Sequence, residues 1–242
     1  MITKNDIEST VKALKANNFD VRYVEKAADA VPIILDLIPA NATLEMAGSM
    51  SVSQLGILDL LRKRGNKGLE PPKPGEFSFE DIGKIRRDVL LVSTNAVTVD
   101  GKLVNIDGLG NRVTGMAFGV KRVILLVGIN KIVRDVDEAM DRVRNVISPY
   151  HAKYIGLNTP CASSGKCEDC DSPQRICNIA AILMKKPPMT NFTIVLVGED
   201  LGLGWDPDWP EARIEKITSA YRAEMEKFRA SFPPPPRPAA SK

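Results

Sequence analysis

The sequence predicts an α/β fold: a mostly parallel sheet covered by helices on both faces, to which a hairpin and a cysteine-rich metal-binding loop are added. Three observations carry this. Apolar runs of strand length, such as Val123 to Val127 and Ile194 to Val197, recur between segments whose apolar residues fall at helical spacing. Asp100-Gly101 separates Val97-Thr98-Val99 from Leu103-Val104-Asn105, the pattern of a tight hairpin. All four cysteines lie between Cys161 and Cys177.

From the start of the chain, Ile7, Val11 and Leu14 sit on one face of a helix over Asn5 to Asn17, and Phe19 to Val24 alternates as a strand does. Ala27 to Leu37 reads as a helix stopped near Pro39, and Thr43 to Ala47 as a short strand ending at Gly48. A third helix is expected over Ser51 to Arg64, with Leu55, Leu58 and Leu61 on its stripe and Gly65 as its stop. Glu70 to Gly75, with three prolines, is a connector, and a helix is expected around Ser78 to Arg86. Val89 to Thr94 and Val123 to Val127 read as buried strands, Asn111 to Phe118 and Asp135 to Val146 as helices. Phe192 to Val197 is a further strand and Glu211 to Phe232 a terminal helix. Residues 1–232 are expected to form one α/β domain with a cysteine-bearing insertion at 148–186, and 233–242 a disordered proline-rich tail.

Composition excludes several classes. A 44% apolar and 26% charged chain is that of a globular protein, and no apolar run approaches the roughly 20 residues of a spanning helix. The N-terminus has no apolar core of a signal peptide, so a reducing cytoplasm is the expected compartment and the thiols are expected to be free for metal. A net charge of +3, with both signs interleaved, argues against a nucleic-acid partner.

The cysteines follow C-x5-C-x2-C-x6-C, in a segment rich in Asp, Glu, Ser, Gly and Lys rather than in apolar residues. Cys161, Cys167, Cys170 and Cys177 suffice to hold one iron–sulfur cluster or one zinc. A zinc ribbon usually pairs two C-x-x-C knuckles, whereas Cys167 and Cys170 form the one knuckle here and the other ligands come singly from either side. Sequential ligation of a 4Fe-4S cluster is the preferred reading, zinc the alternative, and scattered core cysteine the bland one. Ser172-Pro173 resembles a helix start, which would place Cys177 near the N-terminus of a helix striped by Ile176, Ile179, Ala180 and Leu183. Arg175 and Lys166 would favour thiolate there. His151, the one histidine, reads as an ordinary loop residue.

In parallel sheets ligands bind beyond the carboxyl ends of the strands. The corresponding loops are Gly48 to Val52, Asn95, Asn105 to Arg112, Gly128 to Lys131, and Gly198 to Asp206. Gly48, Ser49 and Ser51 offer backbone N–H groups and hydroxyls to a phosphate or carboxylate, although a capping turn explains them equally. Asn95, Asp107, Asn111 and Arg112 are further candidates for a small anionic or polar ligand, with tight turns as the competing account. Trp205 is expected to be a packing residue. No nucleophile with an adjacent base stands out, so catalysis is left open.

Asn95 to Val104, Gly110-Asn111-Arg112-Val113 and Val127-Gly128-Ile129-Asn130-Lys131-Ile132-Val133, in that order, resemble the lactate-utilisation (LUD) domain family over about residues 1 to 205. Thr159-Pro160-Cys161, Gly165-Lys166-Cys167, Asp169-Cys170 and Arg175-Ile176-Cys177-Asn178 resemble its stand-alone cysteine-bearing members. The resemblance implies a Rossmann-like fold similar to sugar-phosphate isomerases and CoA transferases, with a cleft at the strand ends. It also implies electron transfer or an accessory role in oxidation of lactate or a similar small organic acid, with a redox protein or oxidoreductase subunits as partners and homo-oligomerisation as a possibility. Two other functions fit the residues: an enzyme acting on a phosphorylated or CoA-linked substrate with a structural iron–sulfur or zinc site, and a zinc-braced interaction module.

Overall fold

A computed structural model describes residues 2–68 and 87–231. The connector at Glu70 to Gly75, the helix at Ser78 to Arg86 and the tail beyond Phe232 lie outside the described residues. Helix α1 (Lys4–Ala16) starts in a capping box between Thr3 and Asp6, leads into β1 (Asp20–Val24), and is followed by α2 (Ala27–Leu37) and β2 (Leu44–Glu45). After α3 (Met50–Ser53) and α4 (Ile57–Lys63) come β3 (Val89–Val92), β4 (Ala96–Thr98), β5 (Leu103–Asp107), α5 (Asn111–Ala117) and β6 (Arg122–Gly128). A 3-10 turn at Ile129–Lys131 joins β6 to β7 (Ile132–Val133), after which α6 (Val136–Arg142), a π-helical turn (Val143–Ile147), α7 (Ser148–Ile155) and α8 (Pro160–Ser164) lead to β8 (Ile179–Leu183), β9 (Asn191–Val197) and α9 (Glu211–Ser231).

The main sheet is parallel throughout, in the order β1-β9-β6-β3-β2. Its strands read as unbroken apolar runs because both faces are covered. Along β3, Val89 and Leu91 pack with α2, α3 and α4, while Leu90 and Val92 pack on the opposite side with Leu14, Met116 and Leu103. The same alternation runs along β6 and β9, where Ile124, Leu126, Val195 and Val197 take the first side and Leu125, Val127, Ile194 and Leu196 the second. A smaller sheet, β7-β4-β5-β8, contains the expected hairpin, with Val97 paired to Leu103 and the Gly101 N–H donating to the Thr98 carbonyl at 2.8 Å. A third core of Ile106, Val143, Ile147, Trp205, Trp209 and Tyr221 lies between β5 and the C-terminal helix, so Trp205 packs as expected. Among the described residues no helix is long and apolar enough to cross a membrane.

Three sequence expectations are corrected. The helix over Ser51 to Arg64 is two helices, parted at Gly56, which adopts a left-handed φ of 62°. The helix expected beyond Ser172 is instead β8, in which Ile179 to Leu183 pair antiparallel with Asp107 to Leu103; strand pairing overrides the helical spacing of Ile179 and Leu183. Cys177 therefore stands before a strand, with no helix N-terminus beside it. His151 belongs to α7 rather than to a loop, because the helical path begun at α6 continues through the π turn to Ile155.

Candidate functional site

The short segment Ser93-Thr94-Asn95, directly after β3, organises the polar groups at the strand ends. Lys131, held among Ile129, Ile132 and Val133, extends its ammonium nitrogen to Ser93 Oγ at 2.7 Å, Ser51 Oγ at 3.0 Å and the Thr94 carbonyl at 3.0 Å. Burial, with the Arg112 guanidinium adding to it, brings its pKa down to about 7. Thr94 Oγ1 in turn donates towards Asn105 Oδ1 at 3.1 Å. Asn130, fully buried, fastens the glycine-rich loop after β9: its Oδ1 accepts from Leu201 N–H at 2.9 Å and its Nδ2 donates to the Gly204 carbonyl at 3.1 Å. Gln54 Oε1 accepts from Gly202 N–H at 2.7 Å in the same loop.

Arg112 sits on the other side of the segment. Its Nη2 donates to Asn95 Oδ1 at 2.9 Å and to the Ile106 carbonyl at 2.7 Å, and Asp107 Oδ1 lies 3.7 Å away. Asn95 Oδ1 also accepts from Ile106 N–H, and Asp107 Oδ2 from Val113 N–H at 3.1 Å, so these residues brace the loop as well as bordering the strand ends. Burial lowers the Arg112 pKa and the Asp107 charge opposes that. Burial likewise raises Glu45, countered by Arg87 and by a hydrogen bond with Asn111.

Of the residues expected to bind an anion, Asn95, Asp107 and Arg112 thus share one network, Asn111 turns to Glu45, and Ser51 is engaged by Lys131. Gly48 is exposed with open space around it, and the helix after Ser49 is a single turn, too short to supply the backbone cradle expected there. Sequence reasoning reached the loop Gly128 to Lys131 but missed Lys131 and Asn130; a lysine inside an otherwise apolar run was the available signal.

The cysteines occupy a lobe after α7. Cys161 lies on α8, with Thr159 Oγ1 3.3 Å from its sulfur, and Gly165 ends that helix in a left-handed conformation. Asp169, inside the Cys167-to-Cys170 knuckle, has φ 46°, which a short polar side chain tolerates better than most. Arg175 ties the loop together: it donates to the Cys170 carbonyl at 2.6 Å, the Cys177 carbonyl at 3.1 Å and Asp169 Oδ1 at 2.7 Å. Arg144 meets Asp169 at 3.1 Å, and the base of the lobe is closed by Ser172 Oγ donating to the Asn158 carbonyl at 2.8 Å.

All four thiols are partly buried and unbridged. Burial pushes the Cys177 thiol up, Arg175 lowers it, and Cys167, Cys170 and Cys161 each raise it, so the four groups share one electrostatic neighbourhood. Among the described residues no three His, Cys, Asp or Glu side chains converge tightly enough to cage a metal ion. In kind and number the four thiols match a four-thiolate centre.

The two regions adjoin. Asn178 N–H donates to the Asp107 carbonyl at 2.9 Å and Asn178 Nδ2 to the Gly108 carbonyl at 3.1 Å, which sets Cys177 beside the loop that carries Arg112. Cys177 also packs on the third core.

Comparison with known proteins places this geometry in context. A family model described as the LUD domain matches residues 7–197. A solved structure, the crystal structure of a DUF162 family protein from Deinococcus radiodurans, aligns at 12% identity and a TM-score of 0.45, covering 81% of this chain and 99% of that one. No curated protein matches. The matched stretch runs from within α1 through β9 and takes in both sheets, the cysteine lobe and the strand-end network apart from the loop after β9, and the chain belongs to the LUD domain family.

Proposed function

We propose that this chain is an iron–sulfur protein of the lactate-utilisation type, in which Cys161, Cys167, Cys170 and Cys177 hold one 4Fe-4S cluster. Family membership supports a role related to lactate utilisation. The observation that carries the finer reading is the gathering of the chain's four cysteines in one lobe, where Arg175 joins the Cys170 and Cys177 carbonyls. A bound cluster supplies one-electron transfer, and four thiolate ligands leave no metal position for substrate, which favours electron relay over Lewis-acid chemistry. The protein's own contribution is to orient the thiolates and to offset their charge with Arg144 and Arg175. Its partners are a redox protein or oxidoreductase subunits that oxidise lactate or a similar small organic acid, in a reducing cytoplasm, with residues 1–232 acting as one unit.

The test is purification without oxygen, followed by visible absorption and iron and sulfide counting. Brown protein with about four irons and four sulfides per chain is expected, with both lost in Cys170→Ala. Colourless wild-type protein carrying one zinc would replace this reading with a zinc-braced one.

A further inference from the structure

The strand-end network holds an amine, that of Lys131, whose ammonium form has no balancing charge among the described residues. Lys131 is 5% exposed, and its three hydrogen-bond partners, Ser51, Ser93 and Thr94, are all neutral. The charged group that acts on it is a second cation, Arg112, and Asp107 is spent on Arg112 and on Val113 N–H. A buried ammonium without a counter-charge is costly, and two routes relieve it: loss of the proton or arrival of an anion.

The surrounding donors favour the second route. Arg112 Nε, Asn105 Nδ2 and Ser49 Oγ are buried atoms without a hydrogen-bond partner among the described residues, and each can donate. Asn105 is wholly buried and linked through Thr94 to Lys131; Arg112 reaches the same Ser93-to-Asn95 segment; Ser49 is two residues from Ser51. Two of these donors, on Arg112 and Asn105, belong to residues tied to the same Ser93-to-Asn95 segment as Lys131, and a ligand that only accepts would satisfy them together with the ammonium.

We propose that this layer is a binding site for a small oxyanion, a carboxylate or a phosphate, with Lys131 as its ion-pair partner and Arg112, Asn105 and Ser49 as hydrogen-bond donors. The loop after β9 packs directly on this layer: a Cβ at Gly202 would lie 2.3 Å from Ser51 Oγ and 3.3 Å from Lys131 Nζ. This site is independent of what the cysteines hold.

Lys131 near neutrality gives the proposal a signature that a purely structural lysine lacks. At about pH 8 most of the free protein carries the neutral amine, so binding an anion draws in close to one proton; at about pH 6 the proton is already present and uptake is close to zero for acetate, whereas phosphate itself titrates in this range and is read at the higher pH. The groups facing Lys131 from α3, the Ser93 segment and the Gly202 loop do not titrate in this range, and Arg112 stays charged throughout.

The experiment is isothermal titration of the full chain with inorganic phosphate and, separately, acetate, at both pH values and in two buffers of different ionisation heat. One anion bound per chain with that proton uptake is expected, weakened about tenfold or more in Lys131→Met. Phosphate alone binding identifies a phosphorylated ligand, acetate alone a carboxylate, and both a general oxyanion site. Absence of binding to folded wild-type protein, or binding without proton uptake at the higher pH, overturns the proposal; because both are read on the wild type, a misfolded variant does not blunt the test.

Discussion

Burial changes what single residues mean, and His151 illustrates it as well as Lys131 does. Its Nδ1 lies 2.5 Å from the Tyr221 hydroxyl, and burial together with the Arg112 charge holds its pKa at about 4, against an ordinary 6.5. A base whose folded pKa is depressed is neutral in the native state while the unfolded chain takes up a proton, so stability is lost as pH falls from about 6.5 to 4 and changes little from this source below that. Urea unfolding of wild type and His151→Gln across that window is expected to show the wild type losing stability more steeply; parallel curves would contradict it. Neither residue announced this in the sequence. Lys131 acquires its surroundings from Ser51, eighty positions earlier, and from Ser93, thirty-eight earlier, and no local pattern encodes such a meeting. Arg112, Asn95 and Asp107 were legible because turn-forming residues at strand ends mark the loops where polar groups collect.

At the scale of elements, the loop after β9 and the turn after β6 are built against each other with no spare volume. A Cβ at Gly128 would stand 2.4 Å from the Leu201 nitrogen and 2.7 Å from the Glu199 carbonyl oxygen, both backbone atoms that cannot swing aside. Gly128→Ala is therefore expected to cost about 2 kcal/mol or more, measured by denaturant unfolding; a change within about 0.5 kcal/mol would show that the loop yields freely. The cysteine loop depends in the same way on Arg175, which joins Cys170 and Cys177 through their carbonyls. Arg175→Ala is expected to lower iron retained per chain after a passage through air, with Arg175→Lys intermediate, since an ammonium cannot reproduce the guanidinium's three simultaneous contacts. Equal retention in all three proteins would remove Arg175 from the account. Elements marked by a helical stripe, by a strand-length apolar run or by a turn dipeptide were readable in advance, including α1, α2, β6, β9 and the β4–β5 hairpin. Ile179 to Leu183 was not, because a short apolar run fits either period and pairing with β5 decided the outcome.

For the molecule as a whole, the parallel sheet, apolar on both faces, places every strand's carboxyl end in one layer, and the smaller sheet carries β8 and the cysteine lobe to the border of that layer. The Asn178 to Asp107 hydrogen bond is the joint between the two, so a redox centre in the lobe and an oxyanion at the strand ends would be neighbours. The alternation of strands and helices made this class of architecture legible, while the division into two sheets was hidden: β4 and β7 are too short to signal which sheet they join. The cysteine spacing marked four candidate thiol donors, and among the described residues no three such side chains are grouped so as to hold a metal ion. X-ray absorption at the iron edge, on anaerobically purified protein, reads the metal and its ligands together. Iron with an all-sulfur first shell and a second shell of iron is expected, both abolished in Cys167→Ala; a first shell of nitrogen or oxygen, or iron absent and zinc bound by four sulfurs, would overturn the iron–sulfur reading.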